Sequence, residues 1–98
     1  MLITIGNCRI KEYDSMNVVV ERYERYTTPP KKKGEPAEVV TGWKFKGFCN
    51  SILSALLLIQ RKELLIEKDK ISSLESYLNQ IEKANQELTK VIEGLRME

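Results

Sequence analysis

The chain has 98 residues, 42% of them hydrophobic and 31% charged, with a formal net charge of +2. That length accommodates one domain with a modest core, which gains from association with further chains. The near-neutral balance gives no electrostatic reason to require a nucleic-acid partner, and the absence of histidine removes the usual general base and the commonest metal ligand.

Four strands are predicted first. Leu2–Ile5 and Cys8–Tyr13 flank Gly6-Asn7, two residues that tolerate positive φ and so favour a tight hairpin. Asp14-Ser15-Met16-Asn17 reads as the next turn. Asn17–Thr27 is a long strand, opened by Val18-Val19-Val20 and continued by Tyr23 and Tyr26. It is long enough to project beyond its partner, so strand exchange between subunits is conceivable. Thr28 to Pro36 holds three prolines, Lys31-Lys32-Lys33 and Gly34, and is an exposed loop. Ala37–Cys49 is the fourth strand. Val39, Thr41, Trp43 and Phe45 alternate with Lys44 and Lys46, which predicts a buried aromatic face and Trp43 in the core.

The period then changes from two to that of a helix. Asn50 and Ser51 suit an N-cap, and the run from Ile52 to Ile66 is apolar around most of its girth. One side is expected to cover the sheet and another to meet a partner chain. Glu67–Lys70 is fully charged. Ser72 with Glu75 matches a capping box, so a second helix starting there and a continuous helix through the stretch stand as equal alternatives. From Ile71 a heptad runs unbroken, with Ile71, Leu78, Asn85 and Ile92 at a and Leu74, Ile81, Leu88 and Leu95 at d. This predicts an oligomerising coiled-coil helix, in which Asn85 would favour a parallel dimer. Tyr77, Ala84 and Val91 make the g positions apolar too, a stripe wide enough that the helix also packs on the head or joins more than two strands. The expected class is α+β: a four-stranded antiparallel β-meander packed by a helix (residues 1–66), followed by a C-terminal coiled coil (residues 67–98).

Catalytic chemistry finds little support. Cys8 and Cys49 have no spacing motif, cannot make a structural zinc site alone, and suit a reducing compartment as free thiols. The glycines form no phosphate-cradling loop. Glu21 and Glu24 are expected on a solvated strand. No enzyme, metal or cofactor is expected. The first residues lack the basic region and long apolar core of a signal peptide, and the longest apolar run, Ala55–Ile59, is far short of the roughly 20 residues of a membrane span. A cytoplasmic protein without membrane contact is the expectation. A basic and aromatic set on the head is the candidate partner-binding surface: Arg22, Tyr23, Arg25, Tyr26, Lys31, Lys32, Lys33, Lys44 and Lys46. Rings with nearby cations can stack bases and track phosphates, but interleaved Glu21, Glu24, Glu35 and Glu38 dilute the potential.

Three stretches carry a resemblance: Ile3 to Ile10, Tyr13 to Glu21, and Trp43 through Gly47-Phe48 into Ser54-Ala55-Leu56. Their order resembles small phage and prophage accessory proteins of low-GC Gram-positive bacteria, in which a β-meander ends in a glycine-aromatic pair and runs into a helix. Cys49-Asn50 departs from the Pro-Thr helix start more usual there. The resemblance implies a phage accessory protein and supplies no site residues. By analogy of class it implies an oligomer, most simply a dimer, that binds and inhibits a host bacterial protein such as a CRISPR effector, in the manner of anti-CRISPR proteins. The alternative is a nucleic-acid-binding accessory protein of phage replication or regulation. A structural protein of the virion is a third reading.

Overall fold

The computed structural model describes residues 2–30 and 32–96. Strands β1 (Leu2–Ile5), β2 (Cys8–Glu12), β3 (Val18–Thr28) and β4 (Glu38–Cys49) form one antiparallel sheet in the order β1-β2-β3-β4. The predicted turns are the reason for this simple meander. Gly6 holds φ of 54° in the first hairpin. At the second turn the Asp14 carboxylate accepts from the Met16 and Asn17 backbone N–H groups at 2.8 and 2.7 Å, fixing the reversal through a side chain.

Two helices follow, α1 (Ile52–Arg61) and α2 (Leu74–Arg96), with a short 3-10 turn at Lys68–Lys70 between them. Ser51 caps α1, its hydroxyl accepting from the Ser54 N–H at 3.0 Å. The predicted helix through Ile66 is too long. Glu63 takes φ of 53°, which ends α1 and folds Leu64 and Ile66 back into the interior. A left-handed non-glycine residue costs about 1 kcal/mol or more. Burial of Leu64 and Ile66, at about 1.5–3 kcal/mol each, exceeds that. Of the two alternatives for the tail, the structure takes the separate second helix. Its cap is one residue later than Ser72: the Ser73 hydroxyl accepts from the Ser76 N–H, and the Ser76 hydroxyl from the Ser73 N–H, both at 3.1 Å.

Both helices lie on one side of the sheet. Ile5, Cys8, Ile10, Val18 and Val20 form the sheet half of the core, against Ala55, Leu56 and Ile59 of α1, Leu64, and Leu88 of α2. Gly47 makes room for α1: a Cβ there would stand 3.0 Å from the Leu58 Cδ1. The wide a/d/g stripe of α2 is used within the chain, as Leu88, Val91 and Ile92 pack on the core. A coiled coil is not what this helix forms within the chain, and Ile71 lies outside the helix altogether. Among the described residues, no helix is long and apolar enough to cross a membrane.

Candidate partner-binding face

Cross-strand register decides which side chains share a surface. Arg9 stands opposite Glu21, Tyr23 opposite Trp43, and Glu21 opposite Phe45. These residues therefore point away from the helices, whereas Cys8, Ile10 and Val20 point toward them. Between Val20 and Glu21 the register slips: Val20 faces Gly47, Glu21 faces Phe45, and Lys46 is the extra residue. This β-bulge re-phases the alternation, so Phe45 and Phe48, three apart in sequence, reach the same face. Without it an odd spacing would send them to opposite sides.

The result is an uncovered aromatic face. Phe45 and Phe48 meet at 4.8 Å between ring centroids, Tyr13 packs edge-on against Phe48 at 5.0 Å, and Tyr23 edge-on against Trp43 at 5.4 Å. The rings hold one another, yet Tyr13, Phe48 and Phe45 keep 64%, 58% and 50% of their surface exposed. The expected buried aromatic face is thus a correction: Val39 and Phe45 are exposed and Trp43 is only part-buried. The cause is that α1 and α2 both settle on the aliphatic side, where small and β-branched residues let a helix approach closely.

Cations frame the rings. The Arg9 guanidinium lies 4.0 Å above the Trp43 ring and bonds the Glu21 carboxylate at 2.8 Å; Lys11 reaches the same carboxylate at 3.3 Å. Burial works to raise the Glu21 pKa, but its bonds to Arg9 and Lys11 outweigh that and hold the carboxyl below the ordinary range. Arg25, opposite Thr41, adds a further exposed cation to this side.

The candidate set read from sequence is divided by the fold. Tyr23 and Arg25 lie on the aromatic face. Arg22, Tyr26, Lys44 and Lys46 lie on the other. There Arg22 donates to the Leu64 carbonyl at 2.6 Å and to Glu24 at 2.7 Å, Lys46 holds Glu24 at 2.6 Å, and Lys44 sits 5.1 Å from the Tyr26 ring centre. Glu24 is therefore part of an ion-pair group and not an isolated solvated carboxylate. Burial raises its pKa less than the Lys46 and Arg22 bonds lower it. Lys32 and Lys33 are exposed in the β3–β4 loop, and Lys31 lies outside the described residues.

Of the heptad residues, Leu88 is buried and Ile81 and Ile92 part-buried, while Leu74, Leu78 and Leu95 are exposed. Asn85 accepts from the Gln60 side chain of α1 at 3.2 Å, so it has an amide partner within its own chain. Sequence reasoning missed Arg9, Lys11, Tyr13 and Phe48 as surface chemistry. Plain strand alternation already puts Arg9 and Lys11 on the face of Glu21, Trp43 and Phe45; only Phe48, and with it the ring contact to Tyr13, needs the bulge at Lys46, which no residue type announces.

Cys8 is fully buried and Cys49 nearly so, and both are free. Burial pushes the Cys8 thiol up to about 11, which makes it a poor nucleophile. Among the described residues, no group of three or more His, Cys, Asp or Glu side chains could hold a metal ion. No family model, curated protein or solved structure matches the chain.

Proposed function

We propose that this protein is a binding module for another protein, and that the open aromatic face of the sheet is its contact surface. The observation that carries this is a set of rings packed on one another and still half exposed. Apolar patches of this kind mark interaction sites on soluble proteins. Aromatic side chains already held by their neighbours lose little freedom on binding, the usual character of interface hot spots. Among the described strand residues of this face, Arg9, Lys11 and Arg25 stand against the carboxylate of Glu21 and leave the frame cationic, so the partner fitted to it has an apolar centre and an acidic rim.

The resemblance to phage accessory proteins makes a host bacterial protein the expected partner, with inhibition of a defence complex as the leading case. Nucleic-acid binding is the weaker reading. Arg22, Lys44 and Lys46 face away from the rings, one face of Trp43 is occupied by Arg9, and edge-on packing offers fewer free ring faces to bases.

The test is quantitative capture from a bacterial lysate, comparing the native chain with Phe45→Glu on the aromatic face and Leu57→Glu on the outside of α1. A protein retained in about 0.5 M salt, lost with Phe45→Glu and kept with Leu57→Glu, is the expected result. Equal capture by all three removes the aromatic face from the account. Capture of nucleic acid alone, abolished by salt, transfers the face to the alternative function.

A further inference from the structure

The outer edge of β4 has a backbone and side-chain pattern matched to itself. β4 pairs with β3 on one side and with no described strand on the other. The Tyr23 N–H donates to the Asn7 carbonyl at 2.7 Å, so the Tyr23 backbone groups turn toward β2 and away from β4. Trp43 stands opposite Tyr23. In an antiparallel ladder both residues of such a pair turn their backbone groups outward, so the Trp43 N–H and C=O point to the free edge. The same alternation turns out the backbones of Val39, Thr41 and Phe45.

This free stretch is bounded at both ends. Pro36 has no N–H to offer. At the other end lies the bulge at Lys46, whose carbonyl already accepts from Lys62 Nζ at 3.3 Å. Residues 37–45 remain, long enough for a stable strand pair and without an internal proline.

We infer that β4 pairs antiparallel with β4 of a second copy, about a two-fold axis at Thr41. That register sets Thr41 against Thr41, Val39 against Trp43 and Glu38 against Lys44. Outward-turned residues then stand opposite one another, as the ladder requires. The charges select it. Glu38 and Lys44 lie equally far from Thr41 on either side, so the two-fold forms two opposite-charge pairs. A shift one way sets Glu38 against Lys46, which sits in the bulge and is held by Glu24 at 2.6 Å. A shift the other way sets Lys44 against Pro36. Edge lysines usually repel a second strand; here Lys44 meets a carboxylate. This pairing is independent of the function proposed above, although it would join two aromatic faces into one continuous surface.

The full chain is to be followed by light scattering from micromolar to millimolar concentration, with amide hydrogen exchange by NMR. Self-association is expected, with the Val39, Thr41, Trp43 and Phe45 amides protected as concentration rises. Glu38→Lys and Lys44→Glu should each weaken association about ten- to thirtyfold, because two facing pairs become like-charged, and together they should restore it. A monomer throughout overturns the inference. So does association that survives both single reversals, or that is lost with Leu78→Asp while those four amides exchange freely, which would place the contact on α2.

Discussion

Replacing Arg22 by Met separates a structural cation from a binding one. The Arg22 side chain lies at the junction of sheet and connector. It donates to the Leu64 carbonyl at 2.6 Å and the Ile66 carbonyl at 3.4 Å, and bridges to Glu24 at 2.7 Å. With its carboxamide oxygen turned to the guanidinium, Asn7 stands 3.1 Å from two of its nitrogens. The charge-assisted bond to Leu64 is worth about 1.5–3 kcal/mol. The ion pair adds about 1 kcal/mol at most, since Lys46 continues to hold Glu24. Arg22→Met should therefore lower stability by about 2–4 kcal/mol, a fall of roughly 10–25 °C in Tm for a domain of this size. Thermal and urea unfolding followed by circular dichroism measure it. A variant within about 0.5 kcal/mol of the native chain that has nevertheless lost its partner would return Arg22 to the binding surface and refute the assignment.

Four further outcomes follow from the same geometry. Cys8 should resist iodoacetamide at pH 8 in the native state and react at the rate of global unfolding, because its thiol is buried and pushed up to about 11; fast labelling would show that the core opens locally. Glu21 and Glu24 have depressed folded pKa values, so the stability they add is full above the ordinary carboxylate range of the unfolded chain and is lost as pH falls through the folded values. Midpoints in urea should thus drop below about pH 5, with a shallower drop in Glu21→Gln and Glu24→Gln, and an unchanged slope in both variants would remove these groups from the account. Gly6→Ala should cost about 1–2 kcal/mol in the same unfolding assay, since Gly6 holds φ of 54° and a Cβ would stand 3.2 Å from Leu65 Cδ2. Phe48→Thr should leave Tm within a few degrees whereas Ile10→Thr should not, because the first is 58% exposed and the second fully buried; equal losses would mean that the aromatic face is part of the stabilising core.

The strand order was legible because turn chemistry and alternation agree. Gly6-Asn7 and the Asp14–Asn17 turn close short hairpins that set β1, β2 and β3 side by side, and the exposed loop after Thr28 returns β4 antiparallel to β3. The second helix was legible as one of two alternatives from its serine cap. Its inward stripe was legible from the apolar g positions, since Tyr77, Ala84 and Val91 widen the seam beyond what a two-stranded coil needs. Two features were not legible. Period two shows that Trp43 and Phe45 share a face, but not which face the helices take; that depends on close approach at Gly47 and on the aliphatic patch of β2 and β3. The bulge at Lys46 is likewise silent in the sequence, because a single extra residue leaves no compositional mark. It moves Phe48 across the sheet, and with it the boundary of the candidate surface.

The position of the two helices explains why a small chain leaves so many rings in the open. Leu64 and Ile66 fold back under the sheet once Glu63 ends α1, and α2 then returns along the same side with Leu88 in the shared core. α1 is tied to this face by the short link from β4, and the longer connector to α2 by specific bonds: Arg22 donates to the Leu64 carbonyl, and the Gln80 side chain accepts from the Glu67 N–H at 2.8 Å. Among the described residues no element therefore covers the aromatic side, and its rings instead shield one another edge to face. Such packing recovers only part of what full burial would, about half the surface of Phe45 and Phe48 remaining in water. A second protein laid on this face would remove the remainder at little cost in order, which makes the same geometry that limits the free chain's stability favourable to its binding.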